Sequence, residues 1–369
     1  MADIAQPAPA TAQATPPPRS SGAIGWLRAN LFNGVASTIL TLLCVALIVL
    51  TVPSVIRWGL VDAIWQAPNG QACRGGGACW AFIGEKFRYI LFGFFPVGQT
   101  WRPAVVVAIF VAMIVAACDR RLWGRRLAVI WIVGLCAVFA LMHGGALGLS
   151  RVETALWSGL PLTLILAVVG MLFGFPLGVL LALGRRSRLP AVRAVCVAYI
   201  ELVRGVPLIT VLFFATYMLP LFLPTGFNVD GLMRALIGIA LFAGAYQAEV
   251  IRGGLQAIPR GQGEAASALG LSWWKTTGLI VMPQALRHVI PGLVNSFIAL
   301  FKDTSLVSIV ALFDLLGQLR ASFSDPAWAT PTTLFTGFAF TGLIYFTFCF
   351  GMSRYSLFVE NRLNAHRRN

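Results

Sequence analysis

The chain has 369 residues, 58% of them hydrophobic and only 11% charged, with a mean hydropathy of +0.81. An ordinary soluble domain carries about 25% charged residues, so the balance excludes one and indicates an integral membrane protein. The formal charge of +15 does not indicate a nucleic-acid binder, because the basic residues stand in short clusters between apolar runs, as cytoplasmic loops do, and not on one face of a polar domain.

Residues 1–30 read as a disordered cytoplasmic tail. Met1 to Gly22 is rich in Pro, Ala and Ser, includes Pro16-Pro17-Pro18, and holds too little apolar surface to order itself. A signal peptide is not indicated, since the apolar run starts late and is long. Leu31 to Val55 forms a first span, and Arg19 and Arg28 before it place its start in the cytoplasm. Arg57 to Arg102 is a mixed outer segment in which Phe87 to Val97 is aromatic but too short to cross, and suits the interface. Cys73 and Cys79 share its Gly-rich loop, which leaves a short disulfide and two free thiols equally open. The other five cysteines sit in or beside apolar runs, where Cys behaves as a small hydrophobe. Pro103 to Ala117 returns inward to Asp119-Arg120-Arg121 and Arg125-Arg126, and Leu127 to Met142 goes back out. Residues 31–157 therefore read as an N-terminal transmembrane extension.

The core is expected over residues 158–355. Gly159 to Gly184 runs inward to Arg185, Arg186, Arg188 and Arg193; Val195 to Leu219 crosses outward and Leu232 to Val250 inward. A polar cytoplasmic loop, 251–283, follows. Ala285 to Phe301 leads outward, interrupted by His288 and Pro291, and Leu334 to Gly351 returns to a basic cytoplasmic tail, 356–369. The expectation is an all-α protein of about eight transmembrane helices with both termini inside. There is no inverted repeat of the kind that marks secondary transporters. There is also no phosphate-binding loop: no Gly precedes Lys86, Lys275 or Lys302.

The loop itself is structured. Pro259 and Gly261 precede a small-residue helix, Gln262 to Leu269; Gly270 suits the left-handed position that closes it, and Ser272 suits the cap of a second helix interrupted near Pro283. Glu264-Ala265-Ala266, Gly270, Ile280, Met282 and Pro283 resemble the EAA loop of ABC-transporter membrane subunits. The runs Ala245–Gly254, Pro283–Leu306 and Glu201–Leu208 resemble the polar-amino-acid branch of that family, and the long extension resembles the M-type subunit of general L-amino-acid permeases. The resemblance covers Ser158 to the C-terminus. It implies a type I importer core that translocates L-amino acids across the bacterial inner membrane by alternating access, with no catalysis of its own. It further implies ABC ATPase subunits that bind ATP and Mg, a second homologous permease subunit in a heterodimer, and a periplasmic amino-acid-binding protein. On this resemblance Gly261, Glu264, Ala265, Ala266, Ala268 and Gly270 couple the chain to the ATPase. One departure stands out: Thr210 and Val211 follow Ile209 where the family often has a Gln, so no contact is carried over there.

Charges inside apolar segments are costly and point to function. Lys302 and Asp303, with Thr304 and Ser305, and Tyr246 with Glu249, are the candidate substrate-path residues; an internal Lys–carboxylate pair that fixes packing is the competing reading. Glu201 and Arg204, three apart, suit an ion pair on one helix face, and Glu249 and Arg252 repeat that spacing. A secondary transporter or channel would need no ATPase, and a scaffold subunit would move no substrate.

Overall fold

The computed structural model describes residues 22–145, 148–224, 226 and 228–364, so the tail expected before residue 22 and the basic Arg367 and Arg368 lie outside the described residues. By compactness the chain divides at Ala63/Ile64. The first unit holds α1 (Ala23–Leu31) and α2 (Val35–Ile56), the latter running on through a π-helical turn, Arg57–Val61. α1 is a helix where the tail was expected to reach residue 30; Ala23, Leu27, Arg28 and Ala29 are good helix formers. No residue of α2 is buried. A helix this apolar on every side suits lipid.

In the second unit, the loop before α3 (Trp80–Phe92) is closed by a Cys73–Cys79 disulfide with its Cα atoms 5.7 Å apart, which decides between the two readings of that pair. Thirteen residues of α3 rise only about 20 Å, too little to cross. Its Phe82 is fully buried between the rings of Phe323 and Trp328, so this segment is packed into protein and not simply laid on the interface. Lys86 bonds Asp325 at 2.6 Å, and the amide of Cys79 donates to Thr336 Oγ1. α4 (Trp101–Cys118) and α5 (Arg125–His143) pair with each other. The fully buried Arg102 is satisfied by the carbonyls of Leu141, Met142 and Ser150 and by Gln99. Because α3 and α4 also pack on the next helix, the boundary expected at 157/158 is not a break in compactness.

That next helix, α6 (Gly159–Arg185), is the centre of the second unit. Its first ten residues are buried all round. Its second half packs on a ninth helix through Gly170, Gly174 and Gly178, spaced four apart. A Cβ on Gly174 would lie 2.9 Å from Ala243 Cβ, and one on Gly178 3.1 Å from the Gly244 carbonyl oxygen. Small residues at this spacing let two backbones approach closely, the main source of helix affinity in lipid.

α7 (Pro190–Gly205) and α8 (Leu208–Phe213) replace the single span expected over Val195 to Leu219; the two arms are bent by 107°. Pro207 has no amide hydrogen and drives Val206 into extended backbone (φ −115°, ψ 148°), which ends the helix there. α9 (Gly231–Gln256) is capped by Asp230, whose side chain accepts from the amides of Leu232 and Met233. α10 (Arg260–Ala268) and the short α11 (Trp273–Lys275) form the loop, and α12 (Met282–Asp303) follows. α12 runs straight through His288 and Pro291, where an interruption was expected; close packing of Gly292 on Val250 and of Val289 on Gly254 braces the turn that lacks a donor. α13 (Leu315–Ser322) is capped by Asp314, and α14 (Pro331–Asn364) stays helical well past residue 355, where a tail was expected.

Among the described residues no strand longer than an isolated bridge occurs. Seven helical segments are long and apolar enough to cross a membrane, and the bent pair of α7 with Leu208–Phe222 makes an eighth. The all-α membrane architecture of about eight spans is as expected.

Candidate functional site

The loop after α9 is a helical hairpin. α10 ends in a Schellman turn: the amide of Gly270 donates to the Ser267 carbonyl at 3.0 Å and that of Leu271 to the Ala266 carbonyl at 3.2 Å. Gly270 sits at φ +73°, the left-handed backbone that its place after the helix demands. Ser272 occupies the next N-cap position without a side-chain bond, contrary to expectation; the first turn is held instead by the Thr276 amide on the Ser272 carbonyl. α11 does not break at Pro283. It passes through a π-helical stretch, Thr276–Val281, into α12, with Pro283 in the first turn, where a missing donor costs least. Gln284 Nε2 bonds Gln262 Oε1 at 3.2 Å and ties the two arms together.

Gly261, Glu264, Ala265, Ala268 and Gly270 are exposed on this hairpin, whereas Ala266 is 2% exposed and packs inside it. Ala266 therefore presents no surface to a partner. The hairpin also displays residues that small-residue spacing does not reveal: Leu269 and Trp274 are 80% and 75% exposed, and Trp273 stands edge-on to Trp274. Exposed indoles in a polar loop were the readable signal.

At the level of the hairpin's root, Glu249 on α9 gathers three arginines. Arg252 approaches at 2.8 Å, Arg185 at the end of α6 at 2.7 Å, and Arg204 on α7 at 3.8 Å. Arg185 also holds Glu201 at 2.9 Å, so Glu201 pairs across helices and not with Arg204, as its spacing suggested. Arg204 lies instead over the ring of Tyr246 at 5.6 Å. The Glu249–Arg252 pair forms as its spacing suggested.

Lys302 and Asp303 end α12, away from this cluster. Val250 packs at the level of Gly292, ten residues and about 15 Å of helix before Lys302. The six path candidates thus fall into two groups, Tyr246 with Glu249 and Lys302 to Ser305. Among the described residues neither Lys302 nor Asp303 approaches an opposite charge within 4.0 Å. Thr304 is buried and bonds the Phe301 carbonyl, while Ser305 is half-buried. Sequence reasoning passed over Asp314. This fully buried carboxylate accepts from the Gly317 amide and the Tyr345 hydroxyl, each at 2.9 Å, and burial pushes its carboxyl up to about 6.

Comparison with known proteins finds relatives over nearly the whole chain. Residues 174–365 match the family described as binding-protein-dependent transport system inner membrane component. The inner membrane amino-acid ABC transporter permease protein YhdY of Escherichia coli (strain K12) is 47% identical over 95% of this chain and 97% of its own length. The glutamate/glutamine/aspartate/asparagine transport system permease protein BztC of Rhodobacter capsulatus is 40% identical over 94% and 95%. Among solved structures, a crystal structure of an amino acid ABC transporter with histidines shares 30% identity over 55% of this chain and 92% of that one, with a TM-score of 0.49. By its matched residues and by its near full-length relatives, the chain belongs to the inner membrane components of binding-protein-dependent transport systems.

Proposed function

We propose that the chain is a permease subunit that carries L-amino acids inward by alternating access, driven by a separate ATPase subunit that holds the ATP and Mg. The observation that carries this reading is the α10–α11 hairpin: a rigid, capped protrusion between two spans that exposes Leu269, Trp273 and Trp274. Exposed aromatic anchors of this kind fill pockets on protein partners. In this reading Gly261, Glu264, Ala265 and Ala268 form its outward face, Gly270 makes the turn, and Ala266 braces it from within. The chain itself hydrolyses nothing.

Amino-acid cargo is supported by the functions of the two near full-length relatives, and a binding protein on the opposite side by the family. The hairpin side is cytoplasmic in this reading, with both termini there, supported by Arg185, Arg186, Arg188 and Arg193, where α6 ends and α7 begins. A second, related permease subunit completes the path as a heterodimer. Lys302, Asp303, Thr304 and Ser305 line the path, and Tyr246 and Glu249 sit nearer its cytoplasmic end.

The test is uptake measured beside binding-protein-stimulated ATP hydrolysis in reconstituted vesicles, for wild type, Glu264→Arg and Gly270→Pro. Both activities should fall together in variants that still insert and fold. Normal transport by both variants would remove the hairpin from the mechanism.

A further inference from the structure

A second charged feature of this unit is a cleft of about 480 Å³ where α6 ends, α7 begins and α9 ends. Arg185, Arg186, Arg193 and Arg252 line it. With Arg204 these make five arginines against two carboxylates, Glu201 and Glu249, which leaves three positive charges uncompensated. The excess resides in identifiable groups. Arg186 reaches only the Leu255 carbonyl, at 3.3 Å, and the Arg193 side chain has no hydrogen-bond or ion-pair partner among the described residues. Four guanidinium groups around one cleft suit a phosphate, whose oxygens accept their paired N–H groups.

The surroundings favour a phosphate that carries acyl chains. The cleft lies at the ends of helices apolar enough to span a bilayer, which is headgroup depth. Beside it the surface leading into and along α7 is apolar and open to the outside: Leu189 is 64% exposed, Val192 41% and Val195 69%. A soluble anion gains nothing from such a flank. We propose that the cleft binds the phosphodiester headgroup of an anionic phospholipid, with its chains against Leu189, Val192 and Val195. Basic pockets between spanning helices are suited to such headgroups. The bound lipid bridges the α6–α7 turn to the end of α9, immediately before the hairpin. Nothing in this depends on the cargo or on the hairpin's partner.

Inorganic phosphate offers the same chemistry without the chains, so the experiment separates the two. The full chain, purified in neutral detergent, is titrated with labelled phosphatidylglycerol, with phosphatidylcholine and with inorganic phosphate. Phosphatidylglycerol should bind saturably, phosphatidylcholine should not compete, and phosphate should displace it only weakly. Arg186→Gln with Arg193→Gln leaves every pair of Glu249 in place and should weaken phosphatidylglycerol binding about thirty-fold. Arg120→Gln with Arg121→Gln, a basic pair on another turn, should leave it unchanged. The proposal is overturned if both lipids bind alike, if the Arg186/Arg193 variant binds like wild type, or if phosphate binds as tightly as phosphatidylglycerol. The competition among ligands uses the wild-type chain and decides the matter even if a variant fails to fold.

Discussion

Replacing Gly178 by Ala tests whether α6 and α9 are held by close backbone approach. The added Cβ would lie 2.9 Å from Gln247 Cβ, 3.1 Å from the Gly244 carbonyl oxygen and 3.2 Å from the Ala248 amide nitrogen. Two of these are backbone atoms, so no rotamer change relieves the clash and the helices must part. Carbon atoms prefer about 3.5–4.0 Å, which sets the separation at roughly 0.6 Å. Overpacking of this kind costs about 1–3 kcal/mol. Against it stands the gain of Ala over Gly inside a helix, about 0.5–1 kcal/mol, so the net loss is about 1 kcal/mol, within about 0–2.5 kcal/mol. Gly253→Ala supplies the control: it lies in α9 with nothing within 4 Å of the new Cβ and keeps only the gain. Thermal unfolding of the purified chain in detergent should place Gly178→Ala below wild type and Gly253→Ala at or above it. A Gly178→Ala melting point equal to or above that of Gly253→Ala would show that the seam is not packed as described.

Other consequences are as direct. Glu249→Gln leaves three guanidinium groups around a neutral amide and should cost about 1–3 kcal/mol, less than a fully buried pair would because the arginines are 25–36% exposed. The loss in melting temperature should shrink in high salt, and its absence in low salt would deny the cluster any structural weight. Burial raises the Asp314 carboxyl from 3.8 to about 6, so the folded chain takes up a proton between those values that the unfolded chain does not. Its stabilising contribution is complete below pH 3.8 and lost as pH rises through 6, a change of about 3 kcal/mol. Wild type should therefore gain stability over Asp314→Asn between pH 7.5 and 4.5, and a constant difference would refute the assignment. Thiol counting on the unreduced, denatured chain should find Cys44, Cys118, Cys136, Cys196 and Cys349 and neither Cys73 nor Cys79. Removing that short cross-link should cost about 2 kcal/mol by loop entropy, read as faster proteolysis of the loop before α3.

What could be read in advance followed from local physics, and what could not depended on neighbours. Gly270 was legible because a left-handed residue after a small-residue helix has one economical solution. The spans were legible from apolar length and charge bias. Pro207 and Pro291 show where such reading fails. The first ends a helix inside a continuous apolar run, where hydropathy shows no break; the second does not end its helix, because packing on α9 compensates for the missing bond. The partner of Glu201 was misjudged because Arg185 lies on another helix. The spacing of Gly170, Gly174 and Gly178 is plain in the chain, but its meaning requires knowing which helix lies opposite.

The start of α6 bears on how such proteins can be recombined. The family match begins at residue 174, fifteen residues after the helix does. Those fifteen include Thr163, whose hydroxyl oxygen accepts the Leu315 amide at 3.0 Å, and Gly170, against which Ile239 sits. The boundary of the family match is therefore not a boundary of folding. A chimera joined at residue 174 would place two parents within one helix and mismatch partners on α9 and α13. A junction between α5 and α6 would exchange whole surfaces, but it would still have to match α3, whose Phe82 lies between the rings of Phe323 and Trp328.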